Sequence, residues 1–181
     1  MNYTQELINR IEKSDNWPSF DRPGFLIDLN AVADEAFEKS TVEGYLAALL
    51  IYHQLCEELA YLVLKSAQFY IQLSVFPAEI DFPQRKRLMF GQLINELRST
   101  ISFKNKNEFI KKCLELNKHR IDIVHRLTKQ TNLSNVQHQV SEAKRLFDEI
   151  YDLFEDTYDY FRVCFHNFRK DIDWDEYLEE L

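Results

Sequence analysis

Three residues in the stretch ELNKHRIDIVHRL, at 115–127, are of types that can do phosphate chemistry: Asn117, Arg120 and His125. Arginine is a permanent cation that binds phosphate through two parallel hydrogen bonds and stabilises the extra negative charge of a phosphorane-like transition state. Histidine, with a pKa near neutrality, moves a proton to or from a 2′-hydroxyl or a leaving oxygen. Together the two suffice for metal-free RNA cleavage through a 2′,3′-cyclic phosphate. At about 100° per helical residue, with Asn117 at zero, Arg120 lies at roughly −60° and His125 at roughly +80°. Ile110, Cys113, Leu114, Ile121 and Val124 fall in the same arc, and Lys111, Lys118, Asp122, Arg126 and Lys129 fall opposite it. The periodicity therefore predicts three polar groups on a packed helix face. Burying an arginine is costly unless its charge is matched. Either acids from another helix pair with these groups inside the monomer, or the face meets a second subunit and forms a polar cleft.

The elements that must position these residues are helices. Three Gly and four Pro in 181 residues, with abundant Leu, Ile, Glu, Lys, Phe and Tyr, predict an all-α chain with few turns. A first short helix is expected over 3–14 and a second over 28–39, separated by NWPSFDRPGF. Ser40 with Glu43 has the form of a capping box opening a long central helix that runs to Phe76. RKRLMFGQLINELRS reads as the next helix, with Leu88, Met89, Leu93, Ile94 and Leu97 inward. Asn105 with Glu108 opens the helix carrying the polar triple, and Ser134 with Gln137 opens a last helix to about Phe168. Val140, Phe147, Ile150, Tyr151, Phe154, Tyr158, Phe161, Phe165 and Phe168 form its apolar stripe, read as core or as a dimer seam. The expectation is an up-and-down helical bundle over 41–170, with 1–40 as an N-terminal helical extension packed on it and 171–181 as an acidic tail, a single domain overall.

Composition excludes several classes of function. Cys56, Cys113 and Cys164 are odd in number and widely spaced, which suits buried thiols rather than a disulfide framework or a zinc cluster. The three glycines are scattered, so there is no phosphate-binding glycine loop, and neither HExxH nor paired Glu-x-x-His motifs occur. His53 and Glu57 lie four apart on the central helix and form a hydrogen-bonded pair or half a metal site; His119, His138 and His166 read as surface residues. No metal and no cofactor is expected. The start, MNYTQELINRIEKSD, lacks the character of a signal peptide, and no uninterrupted apolar run approaches a membrane span, so a soluble cytoplasmic protein without a membrane partner is expected. Net charge is −8, yet residues 85–129 hold twelve Lys or Arg and four acids, against ten and 26 in the rest. A basic middle between acidic ends can steer a polyanion to one face, unless folding brings acids alongside it.

The run LNKHRIDIVH resembles the signature of HEPN domains, in which an Arg is followed after four to six residues by a His, often with an Asn three residues before the Arg; Asn117, Arg120 and His125 fit that pattern. YHQLCEELAYLVLK is similar to the family's early amphipathic helix, and MFGQLINELRS to the helix that precedes the motif helix. The resemblance implies a HEPN-type bundle that pairs with a second copy so that both motifs face one cleft. It further implies a metal-independent endoribonuclease acting as a toxin or in defence, with RNA as substrate and an antitoxin protein as a possible partner. By that resemblance His125 would be the acid/base, Arg120 the phosphate binder and transition-state stabiliser, and Asn117 an orienting hydrogen-bond partner; Asn117 and Lys118 are the expected substrate-binding residues. One departure is Ile121, where active members usually carry a polar residue after the Arg. It favours the alternative of a non-catalytic RNA- or protein-binding dimer of the same fold. A third reading, a helical regulator that binds an apolar ligand, explains the aromatics but leaves the polar triple idle.

Overall fold

A computed structural model describes residues 3–82, 88–130 and 132–171. Six α-helices follow one another: α1 (Tyr3–Glu12), α2 (Pro23–Glu38), α3 (Val42–Val75), α4 (Phe90–Ser99), α5 (Lys106–Arg126) and α6 (Leu133–Asp171), with no strand among the described residues. The all-α expectation is met. Arg85, Lys86 and Arg87 of the basic segment and the acidic tail from 172 lie outside the described residues.

The long helix α3 is central because apolar residues surround most of its circumference, which only contacts from several sides can cover. It packs against α2, α4, α5 and α6. By length and composition it is also apolar enough to cross a membrane, but more than half of its most apolar stretch is buried in the bundle, where its side chains form core. Leu59, Val63, Ala67 and Phe69 of α3 meet Phe147, Ile150, Phe154, Phe161 and Phe165 of α6 in the main cluster. The α6 stripe is therefore largely core, although Tyr151, expected within it, is 44% exposed. The N-terminal helices join through Leu7, Ile11 and Trp17, whose indole meets Phe165 edge-on at 5.6 Å, and α2 is tied on by Asp34, which accepts from Tyr52 (2.7 Å) and from Lys144 of α6.

Helix ends differ from the sequence reading where a neighbouring residue offered the same chemistry. α3 is capped by Thr41, whose Oγ1 accepts from Gly44 N, not by Ser40. α4 begins only at Phe90, and Met89, expected inward, is 72% exposed. Asn105 makes no side-chain cap; it sits in the left-handed region (φ 65°) and its amide donates to Asp156. Asn132, not Ser134, accepts from the start of α6. Lys106 is 7% exposed, and its ammonium donates to the carbonyls of Arg98, Thr100 and Ile101 at 2.7–3.0 Å. All three donors are matched, so the end of α4 and the start of α5 are fixed to each other. Burial holds its pKa below the ordinary lysine value.

Gly44 lets α2 approach α3 closely: a Cβ there would stand 2.3 Å from the carbonyl oxygen of Ala36, whereas one on Gly91 would meet nothing within 4 Å. Gly44→Ala should destabilise the fold by about 1–3 kcal/mol through backbone displacement. Gly91→Ala should stabilise it by about 0.5–1 kcal/mol through helix propensity. Urea unfolding of the two variants checks the opposite signs.

Candidate functional site

The helix carrying the polar triple is held by a heptad-spaced line, Phe109, Leu116 and Ile123, each fully buried, with Cys113 and Ile110 beside it. This line lies about 100° around the helix from the direction of Asn117. The packed face is thus rotated from the one expected. Leu114, Ile121 and Val124, expected to be packed, are 37%, 38% and 38% exposed. The reason is volume: an apolar arc too wide for its neighbours to cover leaves one edge bare, and the Phe, Leu and Ile heptad fills the space against α3 and α6. Ile123 enters a second cluster with Tyr45, Leu49, Val136, Val140 and Ala143, which anchors the C-terminal turns of α5.

Helices α3 and α5 run antiparallel, so that Cys56 meets Cys113 and, one turn on, His53 meets Asn117. Both thiols are buried, and burial pushes Cys113 well above its ordinary pKa. The His53 Nε2 lies 2.9 Å from Asn117 Oδ1. An amide oxygen only accepts, so Nε2 carries the hydrogen and donates it. The ring is 3% exposed and packs on Phe90 at 5.0 Å. Burial, reinforced by the cation of Arg120, lowers the His53 pKa despite the opposing Asn117 bond. His53 and Glu57 are not partners, which corrects the expected pair: Glu57 accepts from Gln54 Nε2 at 2.7 Å. Burial raises the Glu57 pKa, opposed by Arg120 and the Gln54 bond.

Arg120 is half-buried beside these groups. It forms no ion pair within 4 Å among the described residues, and its Nε is buried with no hydrogen-bond partner. An unpaired buried donor costs about 1–3 kcal/mol, so the site retains an unmet demand for an acceptor. His125, expected at the edge of the packed arc, is exposed, and no hydrogen bond or ion pair engages it among the described residues. Lys118 is also exposed. Asn117 and Arg120 thus come together with His53 and Glu57, while His125 and Lys118 stand on the open side of the same helix. His119, read as a surface residue, is half-buried, and its pKa is lowered by burial against the pull of Glu142 and Asp122. Nothing in the sequence signalled His53 as the partner of Asn117, because 64 residues separate them.

The basic segment is partly neutralised by folding. Lys112 pairs with Glu149 of α6, Arg126 with Asp122, and Lys106 is spent on carbonyls. Among the described residues no group of three or more His, Cys, Asp or Glu is arranged to hold a metal ion. No family model, curated protein or solved structure matches this chain.

A histidine with a lowered folded pKa stabilises fully above its unfolded value of about 6.5 and loses that contribution as pH falls below it. Thermal unfolding from pH 7.5 to 5 should therefore show a fall in Tm that is smaller in His53→Gln, which keeps a donor for Asn117 but does not titrate. Identical slopes for the two proteins would remove His53 from the acid sensitivity.

Proposed function

We propose that this chain is a HEPN-like, metal-independent endoribonuclease that acts as a dimer, with the α5 faces of two copies lining one cleft. The observation that carries the reading is the bare edge of α5. Exposed His125 stands beside uncovered Ile121 and Val124, on the same helix as an arginine whose Nε lacks an acceptor. Within one helix Arg120 and His125 are about 7.5 Å apart along the axis and about 140° apart around it. A phosphate on the His125 of one copy is reached more readily by the Arg120 of the other.

The chemistry is then an in-line transfer. His125 takes the proton of the 2′-hydroxyl as the 2′-oxygen bonds to phosphorus. The bond from phosphorus to the 5′-oxygen breaks, and a protonated imidazole returns a proton to that oxygen, leaving a 2′,3′-cyclic phosphate. Arg120 meets the charge that builds on the non-bridging oxygens. Asn117, its oxygen held by His53, has its amide N–H groups left to donate to the ribose or phosphate. Toxin or defence roles, with a protein antitoxin as partner, fit such an activity.

A second reading is favoured by two residues. Glu57 places a carboxylate in the field of Arg120, where it competes with phosphate, and Ile121 offers no hydrogen bond. In that reading the same face holds RNA or a protein and cuts nothing.

Cleavage of total RNA in EDTA distinguishes them. His125 is exposed, so His125→Ala should fold as the wild type and lose about 10²–10⁴ in rate, the usual contribution of a positioned acid/base. Undiminished cutting by the variant would remove His125 from the mechanism, and no cutting by either protein would leave the binding reading.

A further inference from the structure

A groove of about 450 Å³ runs between the C-terminal end of α4 and the outer face of α5, lined by Arg98, Asn107, Ile110, Lys111, Leu114, Glu115 and Lys118. Three cations face one carboxylate there, in a chain whose net charge is −8. This imbalance is local. The grooves lined by Arg10 and Lys65 carry two carboxylates each, Glu58 with Asp21 in one and Glu6 with Asp81 in the other. The cations are also available. Lys118 has no ion pair among the described residues, and Lys111 meets Glu115 only at 3.9 Å with 72% of its side chain exposed.

Lys111, Lys118 and His125 are spaced seven apart, so they form one exposed line along α5, each about 10.5 Å beyond the last. The groove ends at Lys118, and from there that line points on towards the proposed acid/base. Its floor is apolar: Ile110 is buried and Leu114 is 37% exposed. A duplex covers its base faces by stacking and offers a protein mainly phosphate and sugar, whereas a single strand offers phosphate and bare base faces together. We propose that this groove is the track for single-stranded RNA, in which Arg98, Lys111 and Lys118 hold phosphates along the strand while Leu114 meets a base, feeding the strand towards His125. The inference rests on RNA being the ligand, and it names residues that lie outside the Arg/His motif.

The test is binding of a fluorescein-labelled single strand with 2′-O-methyl sugars, which cannot be cut by 2′-oxygen attack, measured by anisotropy at several salt concentrations. The variant Arg98→Gln/Lys111→Gln/Lys118→Gln is compared with Lys13→Gln/Lys39→Gln/Lys170→Gln, which changes net charge equally at exposed sites elsewhere. The groove variant should bind about tenfold to a hundredfold more weakly. Its slope of log affinity against log salt should be shallower by about 2, from three lost phosphate contacts at about 0.7 each. The control should stay within about threefold of the wild type. Equal weakening by both variants, or equal binding of the corresponding duplex, would overturn the track. Groove-dependent binding without EDTA-resistant cutting of ordinary RNA would uphold the track and remove the nuclease reading. No binding by the wild type would overturn both.

Discussion

A histidine that is 3% exposed and donates its one ring N–H to an asparagine on the adjacent helix leaves that helix little freedom to rotate. Moving α5 by one residue would swing Asn117 through about 100° and leave the buried imidazole donor without an acceptor. The bond between His53 and Asn117 therefore sets which side of α5 faces the bundle, and everything proposed for the other side follows from it. The apolar line of Phe109, Leu116 and Ile123 supplies the larger share of the adhesion, at roughly 1.5–3 kcal/mol for each buried side chain. Apolar contact is tolerant of small rotations; the polar contact is not.

The same rotation explains why the polar triple divides. Asn117 and Arg120 are turned towards α3, where they meet His53 and Glu57, while His125 is carried past the edge into solvent. One half of the set is half-buried against α3, and the other is accessible. That division suits a composite site, in which a fixed cation and a reachable imidazole work on one phosphate from two copies of the chain. Glu57 is the residue that most complicates it, since a carboxylate near Arg120 weakens the pull on an incoming anion.

The number of helices and their approximate extents were legible in the sequence because both depend on local periodicity and on scarce glycine and proline. Caps were less so: Thr41 and Asn132 stand within two residues of the expected Ser40 and Ser134, and capping groups so close in sequence compete on geometry that no local pattern records. The face of α5 was misplaced for a different reason. Apolar residues cover about half of its circumference, and the choice among arcs is made by groups remote in sequence, the volumes of α3 and α6 together with the His53 bond to Asn117. The candidate residues themselves were visible from type and spacing. Their partners were not, since His53 reaches Asn117, and Glu149 reaches Lys112, only through the folded bundle.

A shared cleft makes one demand that a site within a single chain does not: two inactive copies must be able to complete each other. The direct measurement mixes Arg120→Ala and His125→Ala proteins, allows the subunits to exchange, and follows cleavage of RNA in EDTA. Restored cutting by the mixture, from two proteins each inactive alone, is the predicted result. A mixture that stays inactive although mixed dimers form would contradict a cleft built from both copies.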